Sequence, residues 1–295
     1  MQLNTPEEEI FNPLYTEKGV RVFMKRDDMI HPFISGNKWR KLKYILRQAE
    51  TENKKLLVTF GGAWSNHLLA TACAAAKFGF QSVGFVRGED VNNPIIAFCK
   101  LFGMHLRFVS REEYRDKQRL FDKFYGTEPS ASFIDEGGAG PYAAKGCAEI
   151  ISELEQQYEH IFCAAGTGTT SAGIINGLIE NKLSSQFYAV SALKGGGFLE
   201  DDINSMLTEK YPFNLLTDYH FGGYAKTNEN LITFIKRFAA STGILLDPVY
   251  TGKMMFALHE IIERDNFKPG DKILAIHTGG LMGLLGKADS IYSVT

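Results

Sequence analysis

The sequence predicts an α/β protein of two lobes, each a mostly parallel twisted sheet flanked by helices. Three observations carry this. Apolar strand-like runs alternate with helical patterns along nearly the whole chain. The runs form two series, one before and one from His160, which implies two sheets with a cleft between them. Several runs end in glycine-rich turns that open directly into helices, as crossover connections between parallel strands require.

The elements follow in order. Asn37 opens a helix whose apolar positions Trp39, Leu42, Ile45, Leu46 and Ala49 share one face, with Asn37 as N-cap and Gly36 making the turn before it. Leu56–Phe60, Ser82–Val86, His105–Val109 and Ser132–Ile134 read as strands, separated by helices near Asn66–Phe78, Pro94–Phe102 and Arg111–Phe124. The second series runs from a strand at His160–Ala165 to a helix from Thr169 and a strand at Phe187–Leu193. Helices around Asn228–Ala240 and Lys253–Glu263 and a last strand at Lys272–Ile276 complete it. Residues 1–41 and 160–295 form the expected large lobe, and 42–159 the small one.

At 295 residues and 44% hydrophobic, the chain has material for two cores. A net charge of −2 offers no field that would draw nucleic acid or a membrane surface. Apolar runs such as Leu68–Ala76 are too short to span a bilayer. The acidic start, Met1 to Glu9, is unlike a secretory leader. Cys73, Cys99, Cys147 and Cys163 stand singly in apolar stretches, so free thiols in a reducing, cytoplasmic compartment are expected, without disulfide or zinc.

Lys38 is electrostatically out of place. A helix N-terminus favours anions, yet Lys38, Arg40, Lys41 and Lys43 crowd this one. A solvated basic helix start is the plain explanation. Against it stand four other loops that would suit a lysine-bound, phosphate-bearing cofactor. Ala165-Gly166-Thr167-Gly168-Thr169-Thr170 leaves a strand and enters a helix, presenting N–H groups, hydroxyls and a positive helix end to an anion. It lacks the Gly-Lys-Ser/Thr ending of a P-loop. A nicotinamide site would want an acid at the end of the next strand, where Ala192-Leu193-Lys194-Gly195 offers none. Gly61-Gly62-Ala63-Trp64-Ser65-Asn66-His67 could hold a substrate carboxylate or simply cap a helix, and His67 reads as a packed histidine. Asp247-Pro248-Val249-Tyr250-Thr251-Gly252-Lys253 and His277-Thr278-Gly279-Gly280 each bring a hydroxyl to a loop after an apolar run.

Together with Glu136-Gly137-Gly138, these motifs resemble, in order and nearly end to end, the pyridoxal-phosphate enzymes of the tryptophan synthase β-like fold. The branch is that of 1-aminocyclopropane-1-carboxylate (ACC) deaminase and D-cysteine desulfhydrase. The resemblance implies pyridoxal phosphate as cofactor, Lys38 as its Schiff-base lysine, and Asn66 on its 3′-oxygen. Gly166, Thr167, Gly168, Thr169 and Thr170 would hold the phosphate. Ser65 would contact the substrate carboxylate, with Tyr250 and Tyr224 near the reacting carbons. A small amino-acid substrate and a homodimer are likewise implied.

An imine needs a neutral amine, and a free lysine is almost wholly protonated near pH 7; nearby Arg40 and Lys41 would favour the neutral form. The resemblance gives ACC deaminases Glu after the motif tyrosine and Leu before the final Gly-Gly. Here those positions are Thr251 and Thr278, the pair of desulfhydrase-like members. Neutral hydroxyls at the pyridine nitrogen leave a weaker electron sink, sufficient for α-proton removal and loss of thiolate. Elimination from D-cysteine to pyruvate, ammonia and sulfide is therefore expected, with ACC ring opening and D-serine dehydratase or racemase activity as alternatives. Trp64, Leu69 and Trp39 depart from the family pattern, and the two tryptophans are expected to narrow the pocket.

Overall fold

The computed structural model describes residues 5–288 and Ile291, so most of the acidic start is included while Met1–Asn4 lies outside the described residues. In chain order the strands are β1 (Glu7–Ile10), β2 (Arg21–Lys25), β3 (Leu56–Gly62), β4 (Gln81–Arg87), β5 (His105–Val109), β6 (Ala131–Ile134), β7 (His160–Ala165), β8 (Gln186–Ser191), β9 (Phe213–Leu216) and β10 (Lys272–Ile276). The helices are α1 (Pro13–Glu17), α2 (Asn37–Thr51), α3 (Asn66–Phe78), α4 (Pro94–Leu101), α5 (Lys117–Tyr125), α6 (Pro141–Ser152), α7 (Thr169–Glu180), α8 (Leu199–Asn204), α9 (Glu229–Thr242) and α10 (Thr251–Glu263).

Two sheets form, as the alternation predicts. The larger has the order β1-β2-β10-β7-β8-β9 and is parallel apart from β1, which pairs antiparallel with β2. The smaller, β5-β4-β3-β6, is wholly parallel. Parallel strands buried on both faces need apolar side chains throughout, and Ile161, Phe162, Cys163, Ile273, Leu274 and Ile276 supply them. The first strand was not foreseen. Glu7, Glu8 and Glu9 make it look like a solvated tail, but each carboxylate finds a cation on the β2 side. Glu9 pairs with Arg21 at 2.6 Å, Glu8 with Arg26 at 2.7 Å, and Glu7 with the buried Lys25 at 3.5 Å. The expected helix at Arg111–Phe124 is instead a single 3₁₀ turn at Glu113–Arg115 followed by α5, whose N-terminus Asp116 caps through the Arg119 N–H.

The helices of the two sheets meet through glycines. A Cβ at Gly146 of α6 would lie 1.9 Å from Arg40 O on α2. At Gly173 and Gly177 of α7 it would lie 2.4 and 2.6 Å from carbonyl oxygens of α6. Only hydrogen fits at these positions. The backbones of α2, α6 and α7 are thereby in contact, which brings the start of α2 beside the start of α7.

Candidate active site

The loops that leave the strands at their C-terminal ends converge between the two sheets, where α/β proteins build ligand sites. Gly36, at φ +59°, makes the turn into α2 pressed against the β10 loop, where a Cβ would be 2.0 Å from Thr278 O. Asn37 is the first residue of the helix and not its cap; its Nδ2 donates to Thr170 Oγ1 at 3.0 Å, tying the start of α2 to the first turn of α7.

Lys38 follows, and burial first, then the charge of Lys41, pull its amine from 10.5 down to about 7, against smaller opposing pulls from Cys147 and Asp247. Arg40 is not a leading cause of this, contrary to the expectation from sequence. Its guanidinium is fully buried and spent on Asp27 (two bonds of 2.8 Å) and Glu153 (two of 2.7 Å). The helix explains the difference: Lys41, three residues on, shares the face of Lys38, whereas Arg40 is turned away. Lys41 is itself buried, burial lowers its pKa, and its Nζ donates to Gly137 O at 3.1 Å. A half-buried amine and a buried one thus line one wall with no carboxylate salt bridge between them.

Facing that wall is the turn Gly166-Thr167-Gly168-Thr169-Thr170. Gly168 takes φ +71°, and Thr169 and Thr170 are buried. The amide N–H groups of Gly168, Thr169, Thr170 and Ser171 donate to no main-chain carbonyl among the described residues. Thr167 and Thr169 hydroxyls lie 3.3 Å apart. Free amides, hydroxyls, a helix N-terminus and the amines of Lys38 and Lys41 are the surroundings a phosphate needs.

The remaining residues close the ring. The Tyr250 ring packs on Gly166, where a Cβ would be 2.9 Å from Tyr250 Cε1, and burial first, then Tyr224, hold its hydroxyl far above its usual pKa. Tyr224 stands edge-on to it at 6.1 Å and is half exposed at the rim. Its loop is strained, since Phe221 and Ala225 on either side take φ +51° and +55°, each costing roughly 1–2 kcal/mol for a non-glycine residue. Asn66 Nδ2 reaches Gly280 O at 3.5 Å. Ser65 caps α3, its Oγ accepting the Leu68 N–H at 3.2 Å, with its own proton left to donate.

Asp247 accepts three main-chain N–H groups, from Val249, Tyr250 and Thr251, and the Thr251 hydroxyl at 2.8 Å. Thr251 is therefore committed to shaping its own loop, and of the expected hydroxyl pair Thr278 is the one without such a bond among the described residues. His277 clamps the β10 loop, its Nε2–H donating to Leu245 O at 2.7 Å and its Nδ1 accepting from Gly279 N–H at 3.2 Å.

Two departures fall outside the pocket. Trp39 stacks on Phe78 in the small-sheet core at 5.6 Å, and Leu69 is buried between α3 and α4. Trp64 alone is at the rim, against Gly286.

His67 carries a signal its sequence context hid. The Thr59 hydroxyl donates to Ile134 O, so it accepts from His67 Nε2–H at 2.8 Å, which assigns the tautomer. Nδ1 is left as a buried acceptor with no donor, beside Gly138 and Lys41. Burial, then Lys38 and Lys41, hold the ring neutral.

A lysine held near neutrality beside a buried, cation-flanked anion turn defines an enzyme working through a phosphorylated carbonyl cofactor. The chain belongs to the pyridoxal-phosphate dependent enzyme family, whose sequence pattern matches residues 4–279. It is 31% identical over 307 residues to the mitochondrial bifunctional D-cysteine desulfhydrase/1-aminocyclopropane-1-carboxylate deaminase of Arabidopsis thaliana, covering 94% of this chain and 76% of that one. It is 30% identical over 302 residues to a D-cysteine desulfhydrase of Klebsiella pneumoniae, covering 90% and 88%. A crystal structure of an ACC deaminase homologue superposes with a TM-score of 0.90 at 27% identity, covering all of this chain and 94% of that one. The fold is that of this enzyme class, and the cofactor is pyridoxal phosphate. No helix among the described residues is long and apolar enough to cross a membrane.

Proposed function

We propose that the protein eliminates thiol from a small D-amino acid, D-cysteine foremost, giving pyruvate, ammonia and sulfide. One observation carries the choice of reaction: the loop from Asp247 to Lys253, which would face the ring nitrogen of the cofactor, offers no free carboxylate. The residue after Tyr250 is a threonine, and the one acid in that loop, Asp247, is saturated by main-chain donors. Pyridoxal phosphate bound here supplies an electron sink that acidifies the Cα–H of an amino acid joined to it through nitrogen.

The chain's own groups do the rest. Gly166 to Thr170, with Lys41, would hold the phosphate, Asn66 the 3′-oxygen, and Thr278, beside the loop that Thr251 shapes, the ring nitrogen. Lys38, its amine drawn down to about 7, would accept the α-proton of bound substrate at neutral pH. Ser65 and the N–H groups of its turn bind the substrate carboxylate. Tyr250, kept protonated, donates a hydrogen bond to the departing sulfur, and Tyr224 orients it. The names of the relatives support both desulfuration and ACC deamination. A small-domain 42–159 lobe, a homodimer and a cytoplasmic location complete the reading.

The test is product analysis on D- and L-cysteine, D- and L-serine and ACC. Pyruvate and sulfide from D-cysteine are expected; ACC turnover with none on D-cysteine overturns the reading.

A further inference from the structure

Lys253 sits in the first turn of α10, only 1% exposed, and its Nζ donates to three main-chain carbonyls at once: His220 O and Gly223 O at 2.8 Å and Ala192 O at 3.2 Å. An ammonium has three donors and no acceptor, so every proton is matched. Converging neutral carbonyl oxygens are how proteins commonly enclose a hard cation. Here a side chain fills the cradle. A cation near a helix N-terminus is disfavoured by the dipole, so those carbonyls compensate an unfavourable position.

Two of the three carbonyls belong to the strained loop that bears Tyr224. Phe221, Gly222, Gly223 and Ala225 all take positive φ, and Phe221 and Ala225 gain nothing from being glycine. Such backbone persists only where its surroundings impose it. Internally the loop is closed by Gly223 N–H to His220 O and Lys226 N–H to Gly223 O. Its ties to α10 include Lys253, the Phe221 ring, edge-on to Phe256 at 5.0 Å, and the Tyr219 hydroxyl donating to Glu260 at 3.4 Å. Tyr250 immediately precedes the same helix. One turn of α10 therefore positions one tyrosine directly and the other through an ammonium.

We propose that Lys253 is a resident cation that holds Tyr224 against Tyr250, and that its carbonyl cradle takes up a free monovalent cation once the side chain is cut back. The positioning half rests on the role proposed for the two tyrosines. Lys253 is a positioning residue, remote from the reacting atoms.

The test uses holoenzyme carrying Lys253→Ala or Lys253→Met, melted and assayed in matched potassium, ammonium and tetramethylammonium chloride. Both variants should lose about 10- to 100-fold in kcat, the scale of a misplaced group. In Lys253→Ala, potassium or ammonium should raise the melting temperature above that in tetramethylammonium and restore kcat. Wild type, and Lys253→Met whose side chain fills the space, should not distinguish the salts. Equal melting of Lys253→Ala in all three salts overturns the cradle, and full kcat in Lys253→Met overturns the positioning role. Cation-specific melting without recovery of kcat, where Tyr224→Phe is impaired, likewise overturns positioning. An unimpaired Tyr224→Phe enzyme strikes the tyrosine reading instead and leaves the melting comparison to judge the cradle.

Discussion

Capture of the cofactor should follow the titration of Lys38, and Lys41 should set where that titration lies. With a pKa of about 7, about half of the Lys38 amine is neutral at pH 7. A lysine at the ordinary 10.5 would be neutral in a fraction 10^(7−10.5), about 1 in 3,000, so the site raises the reactive population about 10³-fold. Burial is the larger cause and Lys41 the second. Replacing Lys41 by Met keeps the packing and removes a positive neighbour. The amine then becomes easier to protonate, its pKa rises, and each unit of rise costs about tenfold in neutral amine. The assay is the rate at which cofactor-free protein acquires visible absorbance when mixed with pyridoxal phosphate between about pH 6 and about pH 10. The second ionisation of phosphate, near pH 6, lies at the edge of this window. Wild type should level off above about pH 8, while Lys41→Met should still be climbing there. A wild-type rate that rises about tenfold per unit to pH 10, or a midpoint that moves down in Lys41→Met, would refute the reasoning.

Other consequences are checked as directly. The cofactor-free protein should gain thermal stability as pH rises from 7 to about 8.5. Folded Lys38, at about 7, releases a proton that the unfolded chain still holds; above that, thiols whose pKa burial raises oppose the trend. Arg40→Met should cost about 3–5 kcal/mol in urea unfolding, because it strands the buried Asp27 carboxylate. Gly166→Ala should displace Tyr250, whose ring lies 2.9 Å from the added carbon, and so lower kcat and speed loss of cofactor on dialysis. Ser65→Ala should cost about 1 kcal/mol as a lost helix cap and also raise KM for the amino acid.

Most of the strands were legible because buried parallel strands must be continuously apolar, and the chemistry-bearing loops because glycine and hydroxyl clusters follow those strands; the order of strands within each sheet was not. What was not legible depended on direction and partners. β1 reads as a tail until its glutamates meet Arg21, Lys25 and Arg26. Trp39 and Arg40 adjoin Lys38 in sequence, yet successive helical residues point about 100° apart, so one enters the core and the other an ion-pair network. The donorless nitrogen of His67 and the triple carbonyl contact of Lys253 have no sequence signature, since each arises from atoms distant along the chain.

The hydrogen-only contacts among α2, α6 and α7 make the floor of the site resistant to change. Any added methyl there would separate helices that together carry the lysine and the phosphate turn. Substrate preference must then diverge by a different route, through the rim, where Trp64 borders open solvent and can be exchanged without disturbing the foundation.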